Sequence, residues 1–305
     1  MEISLKIKFS NYLLVAVLQA MLVVCRGRSL KEKLSNYLLV AVLQAMLAVC
    51  RGIKMYHFFV EESRINENRI YVDGADYNHI RNVIRLKNGD EVMISVRNTQ
   101  ISDAVRNFMC GLSEYTDNEV VFDIIDRDVP DTELPCQVIL YQGLPKSDKL
   151  ELIIQKAVEL GVSQIVPVAM KRSVVKLDDK KAAAKLPRWN AISESAAKQS
   201  KRSLIPEVRP VMSYALAVRE AAGCDICFVP YENENGMAET RRLVSSITPG
   251  NRVAVFIGPE GGFEDDEIEA ARKLGMHTIT LGKRILRTET AGLSFLSMLA
   301  YALEN

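Results

Sequence analysis

A chain of 305 residues, 48% hydrophobic and 25% charged, is long enough for two ordinary domains with their own cores, and its composition excludes global disorder. A formal net charge of +1 provides no bulk attraction to nucleic acid, so any basic surface has to be local. Six scattered cysteines (Cys25, Cys50, Cys110, Cys136, Cys224 and Cys227) show no disulfide-framework spacing, which suits a reducing cytoplasm.

The first 54 residues differ in character from the rest. The segment Ser10 to Gly27 recurs as Ser35 to Gly52, an offset of 25 residues with a single difference, Val23 against Ala48. Two near-identical copies resemble a recent duplication more than a repeat architecture, which needs three or more units and drifts in sequence. Each apolar stretch is too short to span a bilayer as a helix, and no small-residue cleavage site follows. Residues 1–54 are therefore expected to be an extension outside the native fold, with no membrane role, and Met55 to be the natural first residue.

Residues 55–128 read as strands. The runs at 69–72, 91–96 and 119–125 are β-branched and aromatic and are separated by turn residues, with Asn88-Gly89-Asp90 a tight-turn signal before the second run. Between the first two, residues 77–86 carry helical apolar spacing at Ile80, Val83 and Ile84. A small β-barrel with one helix follows. Arg81 and Arg85 on that helix are either solvated charges or RNA contacts.

In residues 132–305 strands and helices alternate. Short, continuously apolar runs at 136–142, 164–169, 224–230, 252–258 and 277–281 predict strands buried on both faces. The CxxC pair Cys224 and Cys227 lies in one of them. With only His57, His79 and His277 in the chain, it reads as buried strand cysteines and not as a zinc or redox site. Helices are predicted from a Ser147 cap to Leu160 with Gly161 as the stop, from a Ser213 cap to about Gly223, over 263–274 and over 289–304. Trp189, just after Pro187 at an expected helix start, reads as a packing anchor. The result is an α/β domain with a mostly parallel sheet.

In such a sheet the chemistry lies beyond the C-terminal strand ends. Two strand-to-helix loops stand out there: Phe256-Ile-Gly-Pro-Glu-Gly-Gly262 and Leu281-Gly-Lys-Arg-Ile-Leu-Arg-Thr-Glu-Thr-Ala291. The first is neither a Walker loop nor a dinucleotide fingerprint. Alone it is either a tight structural turn or a place where backbone approaches a ligand. From Lys171 to Arg202 there are ten Lys or Arg against three Asp or Glu, a local basic segment that is either a solvated helix face or an RNA contact.

Together these loops resemble the paired C-terminal motifs of the SPOUT superfamily of RNA methyltransferases, and most closely its 16S ribosomal RNA uridine-N3 members. The resemblance extends over nearly everything after Met55. It includes Met55-Tyr-His-Phe-Phe-Val60, His79 to Asp90, Gly143-Leu-Pro-Lys146, Gln199-Ser-Lys-Arg202 and Ile205-Pro-Glu-Val208. Residues 98–112 depart from the family, which has a Gly-rich turn there, and Lys198 stands where an acidic residue is usual. The resemblance implies a PUA-like RNA-binding β-barrel over 55–128, followed over 132–305 by a parallel-sheet domain with a deep trefoil knot, an exception to unknotted chains. It further implies a homodimer.

The activity implied is S-adenosylmethionine-dependent methylation of a uridine at N3, uracil 1498 of the small-subunit 16S ribosomal RNA. The cofactor would rest on backbone groups of Leu281, Ile285 and Leu286 at its adenine, with Gly258 and Gly261 opposite and Ile257, Pro259, Glu260, Gly282 and Ala291 completing the site. No metal is required. Because N3 of uridine is a weakly acidic imide, some group must stabilise its anion or take its proton. Arg287 is expected to be that cation and Glu289 a candidate base, although an acid is favoured at a helix start in any case. Lys146, Lys171, Arg172, Gln199, Arg202, Arg81 and Arg85 are the expected RNA contacts. The alternatives are another SPOUT reaction, such as ribose 2′-O methylation, and a non-catalytic RNA-binding protein that retains the fold. A chain beginning at Met55 is expected to keep both fold and methyl transfer, read by circular dichroism and a methylation assay; marked loss of either assigns the repeat a role.

Overall fold

The computed structural model describes residues 55–97, 105–127, 129–130, 132–234 and 236–304, so the apolar repeat lies outside the described residues. Residues 56–305 form one unit built on two sheets. The first sheet consists of β1 (Tyr56–Glu61), β2 (Ile65–Asn66), β3 (Arg69–Val72), β4 (Glu91–Arg97), β5 (Val105–Tyr115) and β6 (Val120–Asp126), in the order β1-β4-β5-β6-β3-β2. Its pairs are antiparallel except β1 with β4, which is parallel. Period-two alternation sends Val92, Ile94 and Val96 to one face, where they join Phe108, Cys110, Leu112 and Phe122 in a closed core.

The helical segment between β3 and β4 differs from its expected form. It begins earlier, as α1 (Gly74–Asn78), and widens into a π-helical stretch over His79–Ile84 that ends at Arg85 in the left-handed region (φ 59°). The wider winding changes the spacing: Ile80 is buried, but Val83 points outward at 68% exposure. The eleven-residue β5 was not expected. Its alternation is broken by register shifts between Met109 and Cys110 and between Leu112 and Glu114, which hide a strand from a period-two reading.

The second sheet contains β7 (Gln137–Gly143), β8 (Gln164–Ala169), β9 (Glu207–Val208), β10 (Met212–Ser213), β11 (Ile226–Pro230), β12 (Arg252–Ile257) and β13 (His277–Ile279). The order is β10-β8-β7-β12-β11-β13, with β9 also on β8, and every pairing is parallel. Helices α2 (Lys149–Glu159), α3 (Asp179–Ser200), α5 (Met237–Val244) and α7 (Thr288–Leu303) contribute to the core on one face, and α4 (Tyr214–Ala221) and α6 (Asp265–Lys273) to that on the other. Strands covered on both faces explain the uninterrupted apolar runs in the sequence.

Several helix ends differ from expectation. Ser147 does not cap α2: it takes a left-handed conformation (φ 55°), and the helix starts after Asp148, while Gly161 (φ 92°) follows its end as anticipated. Ser213 precedes α4 but makes no side-chain cap bond. Pro187 lies inside α3 and not at its start. Asp178 caps that helix by accepting from the Lys181 N–H at 2.8 Å, and the burial of Trp189, Ser193, Ala196 and Ala197 carries it past the proline. Glu264 and Glu267 form a reciprocal capping box at α6. Among the described residues no helix is long and apolar enough to cross a membrane, and no group of three or more His, Cys, Asp or Glu side chains is arranged to hold a metal.

The outer face of the first sheet is polar where it meets the second domain. His57 Nε2 lies 2.7 Å from Ser95 Oγ, Ser95 donates to Asn107 Oδ1 at 2.6 Å, and Asn107 donates to Ser203 Oγ at 2.7 Å, all four residues being buried. Burial, reinforced by the Lys198 ammonium, lowers His57 from 6.5 to about 4. As pH falls the unfolded chain protonates this histidine first, so the associated stability is fully present above about 6.5 and is lost toward about 4. His57→Gln is expected to flatten this acid limb. Urea midpoints compared at about pH 7 and about pH 4.5 read the slope, and equal slopes in variant and wild type would refute the assignment.

Candidate active site

Because the second sheet is parallel, the loops after β7, β8, β12 and β13 all emerge at one edge. The loop after β7 and the loop after β12 touch directly. A Cβ on Gly143 would stand 2.7 Å from the backbone nitrogen and ring of Pro259, so only glycine fits there. The loop after β12 is then joined to the start of α7 through Thr288. Its buried hydroxyl donates to the Gly258 carbonyl at 2.7 Å and accepts from Gln142 Nε2 at 2.9 Å, while the same Gln142 amide reaches the Gly143 carbonyl at 3.0 Å. The loop after β13 turns on Gly282 (φ 120°), which is open on its Cα side, and its N–H is held by Thr280 Oγ at 3.2 Å.

The ten residues expected at a cofactor, those within 257–261 and those within 281–291, line one cavity of about 430 Å³, together with Arg287 and Lys149. That volume lies in the ordinary range for a small-molecule site. Among the described residues no hydrogen bond engages the backbone N–H of Leu281, Ile285 or Leu286, so the donors needed to read a purine edge remain available. The Arg287 guanidinium is exposed and makes no hydrogen bond or ion pair among the described residues, and its carbonyl accepts from Thr290 and Ala291, opening α7.

A residue the sequence reading overlooked lies between the loops. Lys149 Nζ is 3.1 Å from Glu260 Oε1 and 3.2 Å from Glu289 Oε2. The Lys146 N–H adds a bond to Glu260 at 3.0 Å. The Glu289 carboxyl is held below the usual carboxylate range by its own backbone N–H and then by Lys149 and Arg287, against a desolvation effect. At Glu260 desolvation is the largest effect and opposes ionisation, but the amides of Glu260 and Lys146 together with Lys149 outweigh it. Both acids are thereby kept ionised. The signal for Lys149 was a cation in the first turn of a helix, where the dipole disfavours it. For Gln142 it was an amide inside an apolar strand.

The expected RNA contacts divide. Lys146, Lys171 and Arg172 are exposed near the loop after β12. Lys171 pairs with Asp266, and Arg172 pairs with Glu264 at 2.9 Å and donates to the Gly261 carbonyl at 3.0 Å. Gln199 is exposed on α3 beside α2, away from the cavity lining. Arg81 and Arg85 are exposed on the first domain, with Arg81 over the Tyr77 and Tyr115 rings at 5.6 and 5.8 Å. Arg202 is a correction. It is 3% exposed, paired with Glu133, and donates to the carbonyls of Val158 and Val162, so its fork is consumed inside the protein and none of it faces RNA.

The fold and its paired loops define a SPOUT-type α/β RNA methyltransferase with a PUA-like domain. A family model described as an RNA methyltransferase domain matches residues 132–300, and one described as an RNA methyltransferase PUA domain matches residues 72–100. The ribosomal RNA small subunit methyltransferase E of Bacillus subtilis is 37% identical over 256 residues, covering 82% of this chain and 98% of that protein. Its counterpart in Mesomycoplasma hyopneumoniae is 34% identical, covering 80% and 98%. The crystal structure of the same-named protein from Neisseria gonorrhoeae bound to S-adenosyl methionine superposes with a TM-score of 0.65 at 28% identity, covering 81% and 97%. The chain belongs to the ribosomal RNA small subunit methyltransferase E family.

Thr288→Val, which keeps the shape and removes the hydroxyl, leaves the Gly258 carbonyl and the Gln142 amide each short of a partner. A loss of roughly 1–3 kcal/mol in unfolding free energy is expected by chemical denaturation. A loss under about 0.5 kcal/mol would show that the two loops are not tied through this atom.

Proposed function

We propose that this protein transfers a methyl group from S-adenosylmethionine to N3 of a uridine in small-subunit 16S ribosomal RNA, acting in the cytoplasm as a homodimer. The observation that carries the reading is the convergence of two strand-end loops on one cavity that has in its lining a guanidinium, Arg287, without a partner among the described residues. The cavity fits the cofactor: the unengaged amides of Leu281, Ile285 and Leu286 suit an adenine edge, and open Gly282 leaves room above the backbone. S-adenosylmethionine supplies the electrophilic methyl group.

The chain's own residues supply positioning and charge. In-line displacement at carbon demands near collinearity, and a rigid joint between the two loops provides it through Thr288 and Lys149. Arg287 places a permanent positive charge where negative charge develops on a uracil oxygen as the N3 proton passes to solvent water and the N3 electron pair takes the methyl group. Glu289 is ionised, as a base must be, but its lowered affinity for protons makes it a weak acceptor from an imide. The weight of the chemistry therefore falls on Arg287. Exposed Lys146, Lys171, Arg172 and Gln199 on the second domain and Arg81 and Arg85 on the first are proposed to contact the RNA backbone.

Arg287→Ala tests the assignment. The variant is expected to bind S-adenosylmethionine within about twofold of wild type by calorimetry while single-turnover methylation of small-subunit particles falls about a hundred- to thousandfold. Near-wild-type turnover, or a joint loss of stability and cofactor affinity, would remove Arg287 from the chemistry. Nucleoside mass spectrometry of 16S RNA from cells lacking the protein should show loss of N3-methyluridine. Loss of a ribose-methylated nucleoside in its place would overturn the base specificity.

A further inference from the structure

Lys149 and Glu260 are a pair of opposite charges in the lining of the same cavity as Leu281, Ile285 and Leu286. Lys149 is the first residue of α2, Glu260 sits in the loop after β12, and their nitrogen and oxygen are 3.1 Å apart. Neither is sealed off: the Lys149 side chain is 33% accessible and that of Glu260 24%. An ammonium group has three donors. Glu260 and Glu289 are the ion-pair partners of Lys149, at 3.1 and 3.2 Å, and no other carboxylate among the described residues pairs with it. A carboxylate accepts at about four lone-pair sites. Those of Glu260 receive the Lys146 amide, its own amide and Lys149.

The cluster thus offers a donor and an acceptor side by side and carries a net charge of −1 from one Lys and two Glu. An α-amino acid group presents the complementary pair, an ammonium beside a carboxylate. The remainder of the proposed cofactor, an adenosine, presents no such pair.

We propose that Lys149 and Glu260 form the subsite for the amino-acid end of the cofactor, with Lys149 donating to its α-carboxylate and Glu260 accepting from its α-ammonium. This rests on the S-adenosylmethionine reading of the cavity and assigns to Lys149 a contact with the ligand in addition to its bridging of Glu260 and Glu289. Lysine, and not a neutral donor, is required because one group must satisfy two acids and still have a charged donor left for a third.

The test truncates both protein and ligand. Calorimetry on the full chain compares S-adenosylhomocysteine, which retains the amino-acid end, with 5′-methylthioadenosine, which lacks it. The wild type should prefer S-adenosylhomocysteine. Lys149→Met should lose about ten- to hundredfold in affinity for S-adenosylhomocysteine, the effect of one charge-assisted hydrogen bond, and stay within about twofold for methylthioadenosine. Lys149→Arg should recover part of the loss. Unchanged methylthioadenosine binding also shows that Lys149→Met has folded. Equal weakening of both ligands would overturn the proposal, because Lys149 would then act only by holding the loops together. So would no weakening of either. If the wild type binds neither ligand, the cofactor reading itself fails, a result distinct from the other two.

Discussion

The hydroxyl of Thr288 is the atom on which the site depends. It is buried, it donates to the Gly258 carbonyl, and it accepts from Gln142. One side chain therefore fixes the end of β12 to the end of β7 and to the first turn of α7. A loop-borne site is accurate only when its support is rigid, and here the support is a buried polar network whose members have few other partners within reach. Gly143 makes the arrangement possible, because any larger residue would separate β7 from Pro259 and pull Gln142 away from the threonine. Lys149 repeats the same tie a turn further on with charge in place of a neutral hydrogen bond.

A second constraint fixes the two domains to each other. The segment 201–204 is held from several sides. Lys201 is left-handed (φ 60°), Arg202 is clamped by Glu133 and by carbonyls near the end of α2, and Ser203 receives the buried hydrogen-bond chain from His57, Ser95 and Asn107. Lys198 adds an ion pair to Asp76 at 3.0 Å. Fixing a relative orientation through buried polar groups costs desolvation, and the return is specificity of geometry: apolar faces slide, whereas hydrogen-bonded chains do not. For an enzyme that must present one base of a large RNA to one cavity, that exchange is favourable.

Much of this was legible in the sequence, for physical reasons that differ from element to element. Five of the seven strands of the second sheet were plain because burial on both faces leaves few polar residues to interrupt them, and 164–169 was read without error, whereas the two-residue β9 and β10 are too short to form such a run. The cavity loops were visible because glycine and proline cluster where backbone must turn. What stayed hidden depended on partners distant in sequence. The bulges of β5 break its alternation, and the π-helical winding after α1 turns Val83 outward; neither has a local sequence mark. Arg202 was mistaken for an RNA contact because a basic run looks alike whether its members face solvent or, as this one does, a half-buried carboxylate at Glu133. Lys149 was missed for the opposite reason: its two acidic partners lie more than a hundred residues away in the chain.

The same distinction bears on how RNA can reach the cavity. Lys171 and Arg172 are not free cations, since Asp266 and Glu264 at the start of α6 neutralise them. These pairs are all about half exposed, and exposed pairs contribute only about 0–1 kcal/mol each. A polyphosphate backbone offers such side chains more charge than one carboxylate does, so exchanging partners costs little. The acids at α6 also stand in a favourable dipole position, so Glu264 and Asp266 are not left stranded when their partners leave. Arg172 additionally holds the Gly261 carbonyl, which makes its exchange a movement of the cavity loop itself. Burial therefore sorts the basic segment by role. Arg202, buried against Glu133 and the carbonyls of Val158 and Val162, sets the frame, while the pairs beside the cavity remain exposed.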